Sequence, residues 1–296
     1  MVQIHFKRSE RMEFLLETPA ATTTDELLTL LAEGANLRLR VERLAQACTG
    51  LADHGPLQPE GIRGLTSPET RDPAMETLNA EERRFLEEVA NSGGQARPDK
   101  TGWRVGVAPP EKAAETLRAE VAKALELVSK TRADEKKIIS SKELSEAIAL
   151  LKGAVMICYP GYYALPAWDP ARAILEDLVP LPTLFPDAEW VDEKASALWW
   201  AKKELVRGKP LSFFIGANEK TKIVVKIAQR GKGAPLAEPP IDKETHSKML
   251  AFYHKKQEEA KKLDEANDDE YLNSEWANPK MLKNQLVTGG KGISFR

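Results

Sequence analysis

The first eighteen residues constrain the fold more than any other stretch. Val2, Ile4 and Phe6 alternate with Gln3, His5 and Lys7, and after a polar Arg8-Ser9-Glu10-Arg11 break, Met12, Phe14 and Leu16 alternate with Glu13, Leu15 and Glu17. Period-two alternation on both sides of a polar break is the pattern of a β-hairpin with one apolar face. A lone hairpin is marginal in water, so that face must be covered by another element. The next segment offers the cover. Thr23 and Glu26 fit a capping box, and Leu27, Leu28, Leu30 and Leu31 supply the apolar side of a helix.

A hairpin followed by a helix is how ubiquitin-like β-grasp domains begin. Gly34 is read as the end of that helix, and Leu37, Val41, Leu44, Cys48 and Leu51, stepping by four and three, as a second one, although Leu37 to Val41 also alternates as a third strand would. Residues 56–110 hold seven prolines and six glycines and read as a linker with one short helix near 80–90. Beyond them come a helix from Glu111 to about Lys130, and one opened by a Ser140/Glu143 capping box that closes at Gly153. The apolar run at 154–159 is expected to be a buried strand, because it is short and bounded by Gly153 and Pro160. Helices are expected across 189–207, carrying Trp199 and Trp200, across 220–230 with Asn218 as its cap, and across 241–266. The expected class is therefore α+β: a hairpin-helix module over 1–55, a linker over 56–110, a mainly helical domain over 111–268 with one buried strand, and an extended tail over 269–296.

The chain has 296 residues with 43 Lys and Arg against 45 Asp and Glu, which suits one large or two modest domains and excludes a polybasic nucleic-acid coat. Two cysteines, Cys48 and Cys158, exclude a disulfide framework and a Cys-rich zinc site, and favour a reducing compartment. Met1 to Lys7 does not read as a secretory signal, and no apolar run is long enough to span a bilayer. The motifs of catalysis are missing as well. Thr288 to Gly292 lacks the spacing of a phosphate loop, His246 and His254 stand eight apart, and Asp264 to Glu275 has Ala266 and Asp269 where a calcium loop needs a ligand and a glycine. The expectation is a non-enzyme with no cofactor, no metal, no nucleic-acid partner and no membrane association.

Near-neutrality hides an asymmetry. Residues 201–262 hold 15 Lys and Arg against 7 Asp and Glu, whereas residues 1–100 hold 12 against 17. A basic face of that kind can meet an acidic protein surface. The candidate contact residues are Lys222, Lys226 and Arg230, with Trp200 and Trp276 as aromatic anchors.

Four blocks carry a resemblance: Gly153 to Pro160, Leu198-Trp-Trp-Ala-Lys-Lys-Glu-Leu205, Asn218 to Ile223 with Gln229 to Pro235, and Tyr271-Leu-Asn-Ser-Glu-Trp276. In order and spacing they resemble the cilia- and flagella-associated protein 298 (Kurly) family, as do the N-terminal hairpin and Ala52 to Gly55. Ser67 to Ala108 and Tyr162 to Pro186 look longer or diverged. The resemblance implies a cytoplasmic protein of motile cilia and flagella that acts as an adaptor or scaffold in assembly of outer and inner dynein arms. Its implied partners are axonemal dynein subunits, dynein assembly factors and axonemal microtubule-associated proteins. It carries over no catalytic residue and no cofactor. The alternative it leaves open is a stable structural component of the axoneme, or a basal-body location.

Overall fold

The computed structural model describes residues 1–9, 12–231, 233–235 and 243–273. Residues 1–235 form one compact unit and 236–296 a second. In chain order the first unit contains β1 (Val2–Lys7), β2 (Glu13–Thr18), α1 (Thr24–His54), α2 (Pro68–Glu76), α3 (Ala80–Ala90), β3 (Gln95–Ala96), β4 (Val107–Ala108), α4 (Glu111–Leu127), α5 (Lys130–Asp134), α6 (Ser141–Cys158), α7 (Pro170–Leu175), α8 (Leu181–Leu184), β5 (Ser196–Trp200), β6 (Lys203–Glu204), α9 (Leu211–Ile215) and β7 (Lys222–Gln229). The second unit contributes α10 (Lys243–Asn273).

The hairpin forms as its alternation dictates, with Val2 opposite Thr18 and Phe6 opposite Phe14. It is one edge of a five-stranded sheet ordered β2-β1-β7-β5-β6. β7 lies parallel to β1 and antiparallel to β5, so the last strand is inserted between β1 and β5. With α1 packed on one face, this is the β-grasp strand order that the hairpin-helix start foreshadows. The class is α+β, as expected, and the C-terminal part of the unit supplies three of the five strands.

α1 is a single helix of 31 residues, about 46 Å long at 1.5 Å per residue. Thr23 and Glu26 close the capping box at its start. Gly34 does not end it; the glycine is buried inside the helix, where a Cβ would lie 3.4 Å from the Phe14 ring. The first half of α1 buries Leu27, Leu28 and Leu31 with the sheet, and the second half buries Val41, Leu44, Cys48 and Leu51 with α4 and α6 in the same core. The true end is Gly55, at φ 77°, whose N–H donates to the Leu51 carbonyl.

Three expected elements are corrected. The buried strand near 154–159 is instead the last turns of α6, which runs through Gly153 to Cys158. Leu144, Ala147, Leu151, Ala154, Val155 and Cys158 continue one helical seam, so the apolar run extends the preceding helix. The helix expected across 189–207 is the β5–β6 hairpin, and the helix expected across 220–230 is strand β7. Asn218 does bond as a cap residue would, accepting from the Lys220 N–H at 3.0 Å, but the bond closes a turn ahead of a strand.

Residues 56–110, read as a linker, carry α2, α3 and the β3–β4 ladder, and they pack on the body. Phe85 and Val89 of α3 form a small cluster with Ala164, against which Trp168 packs. The anchor is buried Asp169. It accepts from the Leu57 and Ala171 N–H groups, each at 2.9 Å, and faces the Arg104 guanidinium at 3.8 Å. Arg104 in turn donates to the Gly55 carbonyl at 2.6 Å. Of the tail read over 269–296, residues 269–273 belong to α10 and the rest lies outside the described residues.

Candidate functional site

The inner face of the sheet is the core, and its outer face is where the unusual charges sit. Strand alternation decides which residue points where. On β7, Ile223, Val225 and Ile227 are buried, while Lys222 and Val224 are exposed and Lys226 is half-buried. The register puts Lys222 beside Gln3, Val224 beside His5, and Lys226 between Lys7 and Trp199. Lys222, Val224 and Lys226 therefore stand in one row along the middle strand.

The hairpin half of this face satisfies its own charge. Glu13, almost fully buried, sits against His5 Nε2 and accepts from Lys7 Nζ at 3.1 Å. Segment 133–139 closes over the edge of β2: the Ile139 N–H donates to the Leu15 carbonyl at 3.1 Å, and Ala133 and Leu15 are buried. Between that segment and the sheet lies a cleft of about 330 Å³, lined by Leu15, Ala133, Asp134, Lys136, Lys222 and Val224 among others. No sequence signal marks it, because it is made by residues far apart in the chain.

The proposed contact residues separate. Lys222 and Lys226 share the open face. Arg230 follows β7 by one residue and lines a different cleft, of about 310 Å³, with Ser196, Glu204 and Arg207. Eight residues of strand set Arg230 about 26 Å from Lys222. Trp200 lies on the inner face, partly buried and packed against the core, whereas Trp199, paired with Lys226 and Glu204, is the tryptophan of the outer face. Trp276 lies outside the described residues.

Burial favours the neutral forms of two thiols and one carboxyl. Burial pushes the Cys158 thiol up to about 11, and burial, with Asp169 nearby, pushes the Cys48 thiol up further. Burial also raises the Asp169 carboxyl, against the pull of Arg104 and two backbone N–H groups. Among the described residues no three His, Cys, Asp or Glu side chains converge to hold a metal ion. Nor, among them, is any helix long and apolar enough to cross a membrane.

Residues 196–291, which open at the first residue of β5 and include all of β7, match the family model described as Cilia- and flagella-associated protein 298. The protein of that name from Mus musculus is 40% identical over the whole of this chain and 99% of its own length. The one from Danio rerio is 38% identical, covering 97% of this chain and 96% of its own, and the one from Drosophila melanogaster 31%, covering 100% and 99%. The chain belongs to the cilia- and flagella-associated protein 298 family. Membership associates it with the cilium or flagellum, as the four sequence blocks implied. No solved structure matches it.

Proposed function

We propose that this chain is a non-catalytic adaptor for assembly of outer and inner dynein arms, made in the cytoplasm and serving the cilium, and that it captures its partners on the open face of the sheet. The observation that carries the reading is the row Lys222, Val224, Lys226 on the middle strand, flanked by Trp199: two cations and two apolar side chains on a rigid surface. Cations beside apolar side chains suit an acidic protein surface, since the charges steer encounter and the apolar groups supply affinity. The partners this reading names are axonemal dynein subunits and the factors that assemble them.

The test is recovery of dynein subunits and assembly factors from ciliated-cell cytosol on tagged wild-type protein and on Lys222→Glu/Lys226→Glu. Loss of recovery with an unchanged thermal midpoint supports the reading; equal recovery refutes it. Fractionation separates it from the structural alternative, because an assembly factor leaves with the detergent-soluble pool and an axonemal component stays with the extracted axoneme.

A further inference from the structure

We infer that the cleft between α5 and the sheet seats an apolar side chain of an acidic, extended peptide segment belonging to a partner protein. The inference rests on the adaptor reading and gives its partner a chemistry.

The cleft's volume, about 330 Å³, lies at the lower end of the range of ligand pockets. Its apolar lining is Leu15, Ala133, Ile223 and Val224; the first three are buried, and Val224, on the middle strand of the sheet, is 45% exposed. A cavity with an apolar floor and a few polar groups at its rim is the usual form of a site that takes an apolar group. The cavity's rim selects what comes with that group. Lys222 stands on the sheet side and Lys136 on the α5 side, and Asp134 is the one carboxylate of the lining.

Lys136 occupies a left-handed conformation, φ 58°, that lysine adopts at a cost; its N–H donates to the Ala133 carbonyl at 3.0 Å and ends α5. The α5 end of the rim is thus held in one backbone geometry.

From Lys222 at the rim the cationic row continues along β7 to Lys226, four residues and about 13 Å on. An extended segment rises about 3.3 Å per residue, so one whose apolar side chain packs on Val224 passes Lys226 about two residues to one side and Lys222 about two residues to the other. Carboxylates at those positions meet cations, and the apolar floor gives the specificity that charge alone lacks. The floor is mainly aliphatic, with His5 its one ring, so it seats a branched side chain better than a stacked base, and a polypeptide is favoured over a nucleic acid.

The test is fluorescence anisotropy on the full chain with a labelled peptide of about ten residues, long enough when extended to pass from the cleft beyond Lys226. The peptide is rich in Asp and Glu with Leu at its centre. Its two controls replace the acids by Asn and Gln, or the Leu by Ser, and a single-stranded DNA of equal charge completes the set. The acidic Leu peptide is expected to bind, and to lose about tenfold in affinity with either control and with Lys136→Glu. Lys136→Asn, which suits the left-handed backbone, separates loss of charge from loss of fold and is expected to weaken binding by a smaller factor.

Absence of binding overturns the inference, as does equal binding of the Ser peptide or of the DNA. Arg230→Glu is expected to leave affinity unchanged, and a loss equal to that of Lys136→Glu also overturns it. The adaptor reading fails separately, by undiminished dynein recovery on Lys222→Glu/Lys226→Glu.

Discussion

Gly55 shows how much one position can determine. Its φ of 77° is open to glycine, and a Cβ there would lie 2.0 Å from the Val107 carbonyl oxygen, so the residue both ends α1 and lets β4 approach. Gly55→Ala is expected to cost more than about 2 kcal/mol, read from the urea midpoint. Asp169 is the matching polar position. Asp169→Ala leaves Arg104 half-paired and the Leu57 and Ala171 N–H groups without their acceptor, so it should cost about 3–5 kcal/mol and open residues 56–110 to limited proteolysis. Asp99 sets up Arg104 from the other side. Slight burial raises its pKa, but hydrogen bonds from the Thr101 hydroxyl and from the Thr101, Arg104 and Trp103 N–H groups outweigh that and hold it at about 2. An acid depressed in the folded state adds stability above its unfolded pKa of about 3.9, and that stability is lost as pH falls from about 4 to 2. The difference in thermal midpoint between wild type and Asp99→Asn should therefore be present above pH 4 and vanish near pH 2.

At the scale of elements, what the sequence reveals depends on which spacings tell a helix from a strand. Thr23 with Glu26, and the alternation of residues 2–7 and 12–17, are unambiguous, and β1, β2 and the start of α1 form where those residues place them, whereas the end of α1 lies twenty residues beyond Gly34. β7 is harder to read, because Asn218 and Gly231 punctuate a helix and a strand alike. Residues four apart share a face in both, so Lys222 and Lys226 stay together although the element is a strand. Adjacent residues do not: Trp199 and Trp200 diverge by about 100° on a helix but point to opposite faces of a sheet. The outer anchor is consequently Trp199, and Trp200 belongs to the core side. β5 and β6 are joined through Ala201 and Lys202, at φ 48° and 65°, the backbone that two-residue hairpin turns require and that Asn-Gly adopts with less strain. Ala201→Asn/Lys202→Gly should raise stability by about 1–2 kcal/mol in chemical denaturation. Thr23→Ala, which removes half of the capping box on α1, should lower it by about 1 kcal/mol.

At the scale of the molecule, the sheet is assembled from the two ends of the first unit. β1 and β2 come from residues 2–18 and β5 to β7 from 196–229, with the helices of 56–195 inserted between. Period and caps disclose the hairpin, but no local pattern states that β7 will lie beside β1, since that pairing spans more than two hundred residues. For the same reason the cleft beside α5 is invisible in the sequence, while the basic row is visible as composition. Residues 1–55 alone keep the β1–β2 hairpin but lack β7, the second partner of β1, and they should show no dispersed amide spectrum, whereas residues 1–235 should fold as a unit. If the open face of this sheet captures dynein-arm partners, as proposed above, charge reversal there must cost arms. The most direct measurement is the dynein-arm content of cilia in cells lacking the endogenous protein and supplied with Lys222→Glu/Lys226→Glu, its folding verified by circular dichroism. Soluble, folded variant protein and axonemes depleted of arms are expected; axonemes with a full complement of arms would show that this face is not where the partners are captured.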